Sequence, residues 1–434
     1  MQRFEVRDIR NNAVFPQLQH RYSSLLREPE RVTLKRDYLG ENPLHYYLDI
    51  NGGLLTVANN IIDIKRDLES QGRVFVWERV RAVNNNTELT FEGNAFAAIS
   101  PREAEILPTL QEQPRLDCSH ISVIGGLLRD SLQCSVETRL STITDEHIGV
   151  LLSGGLDSMG IAYLLSTAGK RDVTAFTLKV DEDESDVTRS REMAVEFGIN
   201  LVEVGVSVEG PRLRLTSQKY SPERRLMHET LVENRVDAPE IVSDSLELSG
   251  NPKRDNVLCA IAMNLIGRAV RLEGPNVVFC GEGPNEMIND YGYNPRDFGY
   301  PTTDKGDFAF RQALTFGFKK SDLQLGRGGL PKHALARMGK IFASHRIKLE
   351  APYFEMDIAR MMTQIPHVTS YDTVKQLVMA NTFGKEKPEK FIEGTAKEKF
   401  QDGSGISRIF ADYTQPRLLD IFEGIYGVRK AGYR

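Results

Sequence analysis

Ile148-Gly149-Val150-Leu151-Leu152-Ser153-Gly154-Gly155-Leu156-Asp157-Ser158-Met159 is the stretch on which the reading of this chain turns. An apolar run, Ile148 to Leu152, leads into a two-glycine turn, and a helix-like run, Met159 to Leu165, leads out of it. A strand, a tight turn and a helix start are expected in that order. The glycines let the backbone turn with its amides pointing inward, Ser153 and Ser158 add hydroxyl donors, and the helix N-terminus adds partial positive charge. That is a phosphate cradle. It lacks the Gly-Lys-Ser/Thr of a Walker loop and carries an acid instead; Asp157 helps to hold phosphate only through a cation placed between them. Magnesium-bound pyrophosphate fits this combination. The plain alternative is an ordinary Ser-Gly-Gly turn with Asp157 as a helix cap, but the complete Ser-Gly-Gly-x-Asp-Ser string at a strand-to-helix junction favours the cradle.

The 434 residues suffice for large cores and two or three domains. Hydrophobic residues make up 40%, charged residues 26%, and the formal net charge is -5. That balance, with no long Lys/Arg block, argues against a nucleic-acid footprint. No apolar run approaches the ~18 residues needed to span a bilayer, so no membrane partner is expected and a cytoplasmic location is. Cys118, Cys134, Cys259 and Cys280 form no Cys-x-x-Cys pair, and the eight histidines are dispersed, so zinc and redox chemistry are not expected.

Residues 1–112 hold short apolar runs at Leu44 to Leu48, Leu54 to Ala58, Val74 to Val80 and Leu89 to Phe91. Asn51-Gly52-Gly53 and Asn84-Asn85-Asn86 punctuate them, which predicts hairpins in a mainly antiparallel sheet. A Pro-containing stretch, Leu107 to Leu116, reads as a linker. From residue 119 to 434 the pattern changes to alternating helices and strands. Ile121, Ile124, Leu128, Leu132 and Val136 share a helix face; strands are expected at Val173 to Val180, Asn200 to Val204 and Asn276 to Cys280, with helices around Val187 to Phe197 and Val257 to Leu272. This alternation implies an α/β fold, a doubly wound parallel sheet with ligands at the carboxyl ends of its strands.

Two later motifs extend the first. Cys280-Gly281-Glu282-Gly283-Pro284-Asn285-Glu286 follows its strand as the cradle follows the earlier one, and brings two acids to the same crevice. Ala396-Lys397-Glu398-Lys399-Phe400-Gln401-Asp402-Gly403-Ser404-Gly405 sets lysines before a Gly-Ser-Gly loop. The order of the three resembles the synthetase half of the asparagine synthetase family, within the ATP pyrophosphatase superfamily of adenine nucleotide α-hydrolase type. There Ser-Gly-Gly-x-Asp-Ser precedes Ser-Gly-Glu-Gly-Ser-Asp-Glu, and Lys-Glu-x-Phe-Ser-Asp-Gly follows; the matching positions are 153–158, 280–286 and 397–403. Arg36-Asp37-x-Leu39-Gly40-x-x-Pro43-Leu44 and Tyr46-Tyr47 resemble a signature late in that family's glutaminase domain. On this resemblance, residues 1–112 are a truncated, inactive glutaminase-like remnant of Ntn type, and residues 119–434 an ATP-binding synthetase domain.

Departures from the family pattern refine the expectation. The chain begins Met1-Gln2-Arg3 rather than with cysteine, and contains neither Arg-His-Arg-Gly-Pro-Asp nor Asn-Gly-Glu. Asn285 stands where the family has a magnesium-binding Asp, and Gly394-Thr395 where an aromatic-Arg pair is usual. Loss of the glutaminase cysteine resembles β-lactam and carbapenam synthetases, whereas Glu282 is the asparagine synthetase choice. The resemblance thus implies amide formation through an acyl-adenylate, with AMP and pyrophosphate released and no glutamine hydrolysis. Intramolecular lactam closure is the preferred specialisation, with asparagine formation or another intermolecular ligation beside it. A nucleotide-binding pseudoenzyme is the reading from a different class, and transfer-RNA modification is disfavoured by the acidic charge.

The expected cofactors are ATP and magnesium. ATP would sit with adenine near Leu152 and Leu178 and phosphates over Ser153, Gly154, Gly155, Asp157, Ser158 and Gly281. Asp157 and Asn285 would hold the metal. Lys397 matches the family lysine that stabilises developing charge, and Glu282 is the expected base for the amine, with Glu286, Tyr291 and Tyr293 as lesser candidates. The expected partners are a small-molecule carboxylate or amine substrate and a second copy of the chain in a homodimer.

Overall fold

Leu54-Leu55-Thr56-Val57-Ala58 is a strand buried at every position, and its two faces belong to two different cores. The computed structural model describes residues 5–10, 23–28, 31–36, 42–83, 87–92, 102–105, 121–169, 171–180, 185–210, 212–223, 225–289, 292–316, 334–365 and 405–427. Glu5–Asp8 (β1), Ser23–Glu28 (β2), Arg31–Arg36 (β3), His45–Asp49 (β4), Leu54–Ala58 (β5), Val80–Ala82 (β6), Thr87–Glu92 (β7) and Arg102–Glu105 (β8) form two four-stranded sheets. The first has the order β1-β5-β4-β6 and the second, antiparallel throughout, β2-β3-β7-β8. Val32, Leu34, Leu89 and Phe91 of the second sheet meet Tyr46, Leu55 and Val57 of the first. The alternate residues Tyr47, Leu54 and Ala58 point the other way, into the main core of the molecule, together with Ile61, Ile62, Ile64 and Leu68 of helix Ile61–Ser70 (α1). A strand covered on both faces loses the polar/apolar alternation of a half-exposed one and reads as a continuous apolar run.

The expected hairpin at Asn51-Gly52-Gly53 joins β4 to β5. The N-terminal strands are mainly antiparallel, with β1 alongside β5 as a parallel exception. Val74 to Val80 is not a strand: Trp77–Arg79 is a short 3-10 helix and β6 starts only at Val80. Aromatic packing sets this stretch. Phe75 stacks on Tyr47 at 6.1 Å, and Trp77 lies 5.5 Å from Phe422 and 5.0 Å from Tyr426, ring centre to ring centre. The linker at 107–116 and the Asn84-Asn85-Asn86 turn lie outside the described residues.

Beyond residue 120 come Ile121–Ser141 (α2), His147–Leu151 (β9), Leu156–Thr167 (α3), Asp172–Val180 (β10), Ser185–Phe197 (α4), Asn200–Glu209 (β11), Arg212–Tyr220 (β12) and Leu226–Asp237 (β13). Ala238–Ser249 (α5), Arg254–Glu273 (α6), Val277–Phe279 (β14), Pro284–Ile288 (α7), Asp304–Phe316 (α8), Ala334–Ser344 (α9), Lys348–Glu350 (β15), Met356–Gln364 (α10), Ile406–Ile409 (α11) and Gln415–Tyr426 (α12) follow. One seven-stranded sheet results, in the order β13-β12-β11-β10-β9-β14-β15. It is parallel from β11 to β15, and β12 and β13 close one side as an antiparallel hairpin. The strand read as Asn200 to Val204 runs on to Glu209 because β12 pairs along its whole length. The chain leaves β9 in one direction through β10 and β11, and in the other through β14 and β15. Between β9 and β14 the order reverses, and in open α/β sheets that switch point is where a crevice opens at the strands' carboxyl ends.

The N-terminal layer and the large sheet also meet through charge. Lys340 of α9 is buried and near Asp63 of α1 and Arg36 of β3. Burial first, and the like charge of Arg36 second, push the Lys340 ammonium down to about 8, against the opposing pull of Asp63. The Asp63 carboxyl is raised, chiefly by burial. Because the folded-state value of Lys340 lies below the ordinary 10.5, the unfolded chain holds more protons between about 8 and 10.5, and stability from this group rises with pH through that window. Lys340→Met is therefore expected to melt above the wild type at neutral pH and to lose that advantage in strongly alkaline buffer. Thermal melts of both proteins across that pH range test it.

Candidate active site

The cradle lies at the switch point. Leu152, just past β9, donates its N–H to the Phe176 carbonyl at 2.9 Å and accepts Ser190 Oγ on its own carbonyl at 2.9 Å, so the chain enters the turn pinned from both sides. Gly154 then takes φ +72°, a conformation that a side chain disfavours, and Gly155 caps α3 in an extended conformation. Ser158 Oγ donates to the Gly155 carbonyl at 2.9 Å and stands 3.2 Å from both the amide nitrogen and the Oγ of Ser153. This buried hydroxyl braces the loop from within, whereas Ser153 and Gly155 on its rim are partly exposed. Leu152 and Leu178 are 1% and 4% exposed, and both side chains belong to the main core, so neither presents an open face to a base.

Gly281 brings the second motif onto the first. A Cβ on Gly281 would stand 2.6 Å from Ser158 N and 2.7 Å from the carbonyl carbon of Asp157, closer than van der Waals contact allows. The two loops thus meet backbone to backbone at the first turn of α3. Cys280, the residue before, donates its N–H to the Glu350 carbonyl at 2.8 Å. Past Gly281, Glu282 and Asn285 are half-buried and Glu286 is buried in α7. Tyr293 is held to the end of α7 by Asn289, whose side-chain amide donates to the Tyr293 carbonyl at 2.9 Å and whose Oδ1 accepts the Tyr293 N–H at 3.2 Å. Burial, then the negative charges of Glu286 and Asp255, raise the Tyr293 phenol above its ordinary value. A phenol kept protonated in this way is poorly tuned as a general base near neutral pH.

Lys397 and Tyr291 lie outside the described residues. Gly405, at the end of the third motif, is described: a Cβ there would stand 3.1 Å from Val180 Cβ. The chain leaving the lysine motif therefore arrives at the carboxyl end of β10, the crevice side of the sheet. One residue the motifs do not mark also belongs here. Tyr353, between β15 and α10, is completely buried, and burial first and the negative charge of Asp157 second push its phenol well above the usual range. Pro352-Tyr353-Phe354 looks like plain core in the sequence; only the parallel pairing of β15 with β14 carries it to the cradle.

Residues 127–211, which take in most of α2, the cradle and the strands β9 to β11, match the asparagine synthase family model. This segment is similar to the asparagine synthase family. A glutamine-hydrolysing asparagine synthetase from Bos taurus is 22% identical over 309 residues, 69% of this chain and 48% of the relative. The chain thus spans about half the length of that curated relative. Among solved structures, the U34-tRNA thiolase NcsA of Methanococcus maripaludis is 14% identical, covering 69% of this chain and 78% of its own, with a TM-score of 0.28. The NH3-dependent NAD synthetase of Campylobacter jejuni is 13% identical, covering 74% and 97%, with a TM-score of 0.27. At these scores the superpositions are loose, and the fold rests on the sheet order given above. Among the described residues no helix is long and apolar enough to cross a membrane, and no cluster of three or more His, Cys, Asp or Glu could hold a metal ion.

The cradle should tolerate a methyl group at one glycine and not at another. Gly281→Ala drives Cβ into the backbone of Asp157 and Ser158, an overpacking worth about 1–3 kcal/mol that α3 must relieve by moving, and ATP binding is expected to be lost. Gly155→Ala meets only Ser153 Oγ, at 3.4 Å, and is expected to melt near the wild type. Paired thermal melts and nucleotide titrations decide both.

Proposed function

We propose that this chain is an ATP-dependent carbon–nitrogen ligase that activates a carboxylate as an acyl-adenylate. One observation carries the reading: the close approach of Gly281 to Asp157 and Ser158, which brings two glycine-rich strand ends together at the sheet's switch point. The asparagine synthase match over residues 127–211 supports it. The substrate carboxylate attacks the α-phosphorus of ATP, forming an acyl–oxygen–phosphorus bond as the bond to pyrophosphate breaks. An amine then attacks the acyl carbon, a carbon–nitrogen bond forms, AMP leaves, and the amine proton passes to a base.

The amides of the cradle and the N-terminus of α3 bind the leaving pyrophosphate. Asp157 and Asn285 supply hard oxygen donors of the kind magnesium takes. When bound, magnesium would neutralise charge on the polyphosphate. Glu282, half-buried beside Gly281, is the acid we assign to accept the amine proton. Lys397 is assigned, from its motif, to stabilise charge as pyrophosphate departs.

The nitrogen reading follows from cysteine placement. No cysteine lies in residues 1–112, so the N-terminal sheets hold no thiol to form a thioester with glutamine. We assign the attacking amine to a group other than glutamine, and within that class favour an amine of the substrate itself, because an internal nucleophile gains effective molarity. The product would be a lactam of an amino-acid-like substrate. Mass spectrometry of reactions with ATP, magnesium and candidate substrates tests this: loss of one water from a single substrate marks ring closure, a joined mass marks ligation, and glutamate appearing in step with product would overturn the nitrogen assignment.

The two half-reactions separate the roles of the acid and the lysine. Glu282→Gln is expected to retain carboxylate-dependent exchange of labelled pyrophosphate into ATP while amide formation falls by about 10²–10⁴-fold. Lys397→Met is expected to lose both with substrate binding largely kept, since its charge acts where new charge develops. Loss of exchange in Glu282→Gln would instead make that residue a substrate or metal contact.

A further inference from the structure

The hairpin that closes the large sheet is covered on one face only. On that face Leu213, Leu215 and Ser217 of β12 are buried, and Ser217 Oγ and Lys219 Nζ both reach Glu273 of α6. On the other face α4 packs on β10 and β11, and its Arg191 is held to the buried Glu203 by two hydrogen bonds. That cover ends one strand further out. Strand pairing sets Leu201, Tyr220 and Leu226 in one row and Glu203, Gln218 and Glu229 in the next. Along both rows the residue on β11 is buried, the one on β12 half-buried and the one on β13 exposed. In the third row Thr216 leans over Gly205, and Leu231 beside it is 47% exposed. Where α4 stops, a hollow of about 370 Å³ opens against Val195, Leu201 and Tyr220. Two charges stand on this open face: Arg214, two residues from Thr216 along β12, and Glu229, two residues from Leu231 along β13 but on the opposite side of that row. Both are exposed, and among the described residues neither has a hydrogen-bond or ion-pair partner.

We propose that this open face of β12 and β13 joins two copies of the chain, stacked sheet on sheet about a two-fold axis that crosses the strands at the Thr216–Leu231 row. Charge selects a second copy as the occupant. An isologous interface must be complementary to itself, so a positive group on one side of the axis has to meet a negative group from the other side. The rows supply that pattern: the axis lays Arg214 of one copy against Gln218 and Glu229 of the partner subunit, and symmetry makes the contact twice. Leu231 then meets its own counterpart near the axis, where its exposed side chain leaves water. Stacking two sheets is a general way to bury a sheet face that no helix covers. Pairing edge to edge along β13 would leave Arg214, one strand further in, with no part to play.

Sedimentation equilibrium of the whole chain over a range of concentrations tests the proposal, with thermal melts to verify folding. The wild type is expected to be dimeric and to dissociate more readily as salt is raised. Arg214→Glu and Glu229→Arg each set like charges against one another, and each is expected to raise the dimer dissociation constant about a hundredfold. An equal mixture of the two variants restores both opposite-charge contacts and is expected to form a heterodimer of near wild-type affinity. Should either reversal fail to fold, Arg214→Ala and Glu229→Gln take their places, with an expected loss of about tenfold. Leu231→Asp is expected to give a monomer. A wild type that stays monomeric at every concentration, or a dimer indifferent to the reversals at 214 and 229, would overturn the proposal. A dimer lost in Leu231→Asp but kept in Arg214→Glu would also overturn it and indicate pairing along the β13 edge.

Discussion

The function proposed for this protein depends on the approach of two backbones at Gly281 and the Asp157–Ser158 turn. Separation there is smaller than a Cβ permits, so residue 281 has to be glycine if the loops are to meet at all. The approach is possible because β9 and β14 are adjacent and parallel, which brings their carboxyl ends to one rim. The N-terminus of α3 opens on that rim, where its partial positive charge favours an anion. Asp157 and Glu282, both partly exposed, sit at these two strand ends, so a polyphosphate there would meet donors and carboxylates together.

A second constraint is the covering of β4 and β5 on both faces. Because Tyr47, Leu54 and Ala58 belong to the main core while Tyr46, Leu55 and Val57 belong to the outer one, the N-terminal sheets are not a detachable cap. Trp77 against Phe422 and Tyr426, and the buried Lys340 near Asp63, add aromatic and electrostatic contacts to the same junction. In the signature Arg36-Asp37-x-Leu39-Gly40, the described Arg36 is a buried strut: its guanidinium donates to the carbonyls of Asn42 at 2.9 Å and Val83 at 2.8 Å. Arg36 thus holds the two sheets together through its guanidinium. The N-terminal layer completes the core behind the large sheet irrespective of any catalysis of its own.

The large sheet was legible because its strands obey local rules. Ile148 to Leu152, Val173 to Val180 and Asn276 to Cys280 are apolar runs bounded by glycine or charge, and between them the apolar spacing switches to that of a helix. Val74 to Val80 misled for the opposite reason. Phe75 and Trp77 alternate as in a strand, but their common side faces an aromatic cluster contributed in part by the last helix, some 345 residues later, rather than a neighbouring strand. The reach of β11 was likewise set by its partner β12, and not by its own residues.

Sequence alone determined the cradle, because a strand, a glycine turn and a helix start are short-range features whose residues lie next to one another. It also placed Gly281, Glu282 and Asn285 at a second strand end, and supplied the asparagine synthase resemblance that residues 127–211 bear out. Only the tertiary structure decided that the two loops touch, that Ser158 braces the turn from inside, and that Arg139 pairs with Glu350. The physical reason is distance along the chain. Contacts such as those of residue 139 with 350 and of residue 157 with 281 depend on the order in which strands pair, and no periodicity or spacing within a local window carries that order.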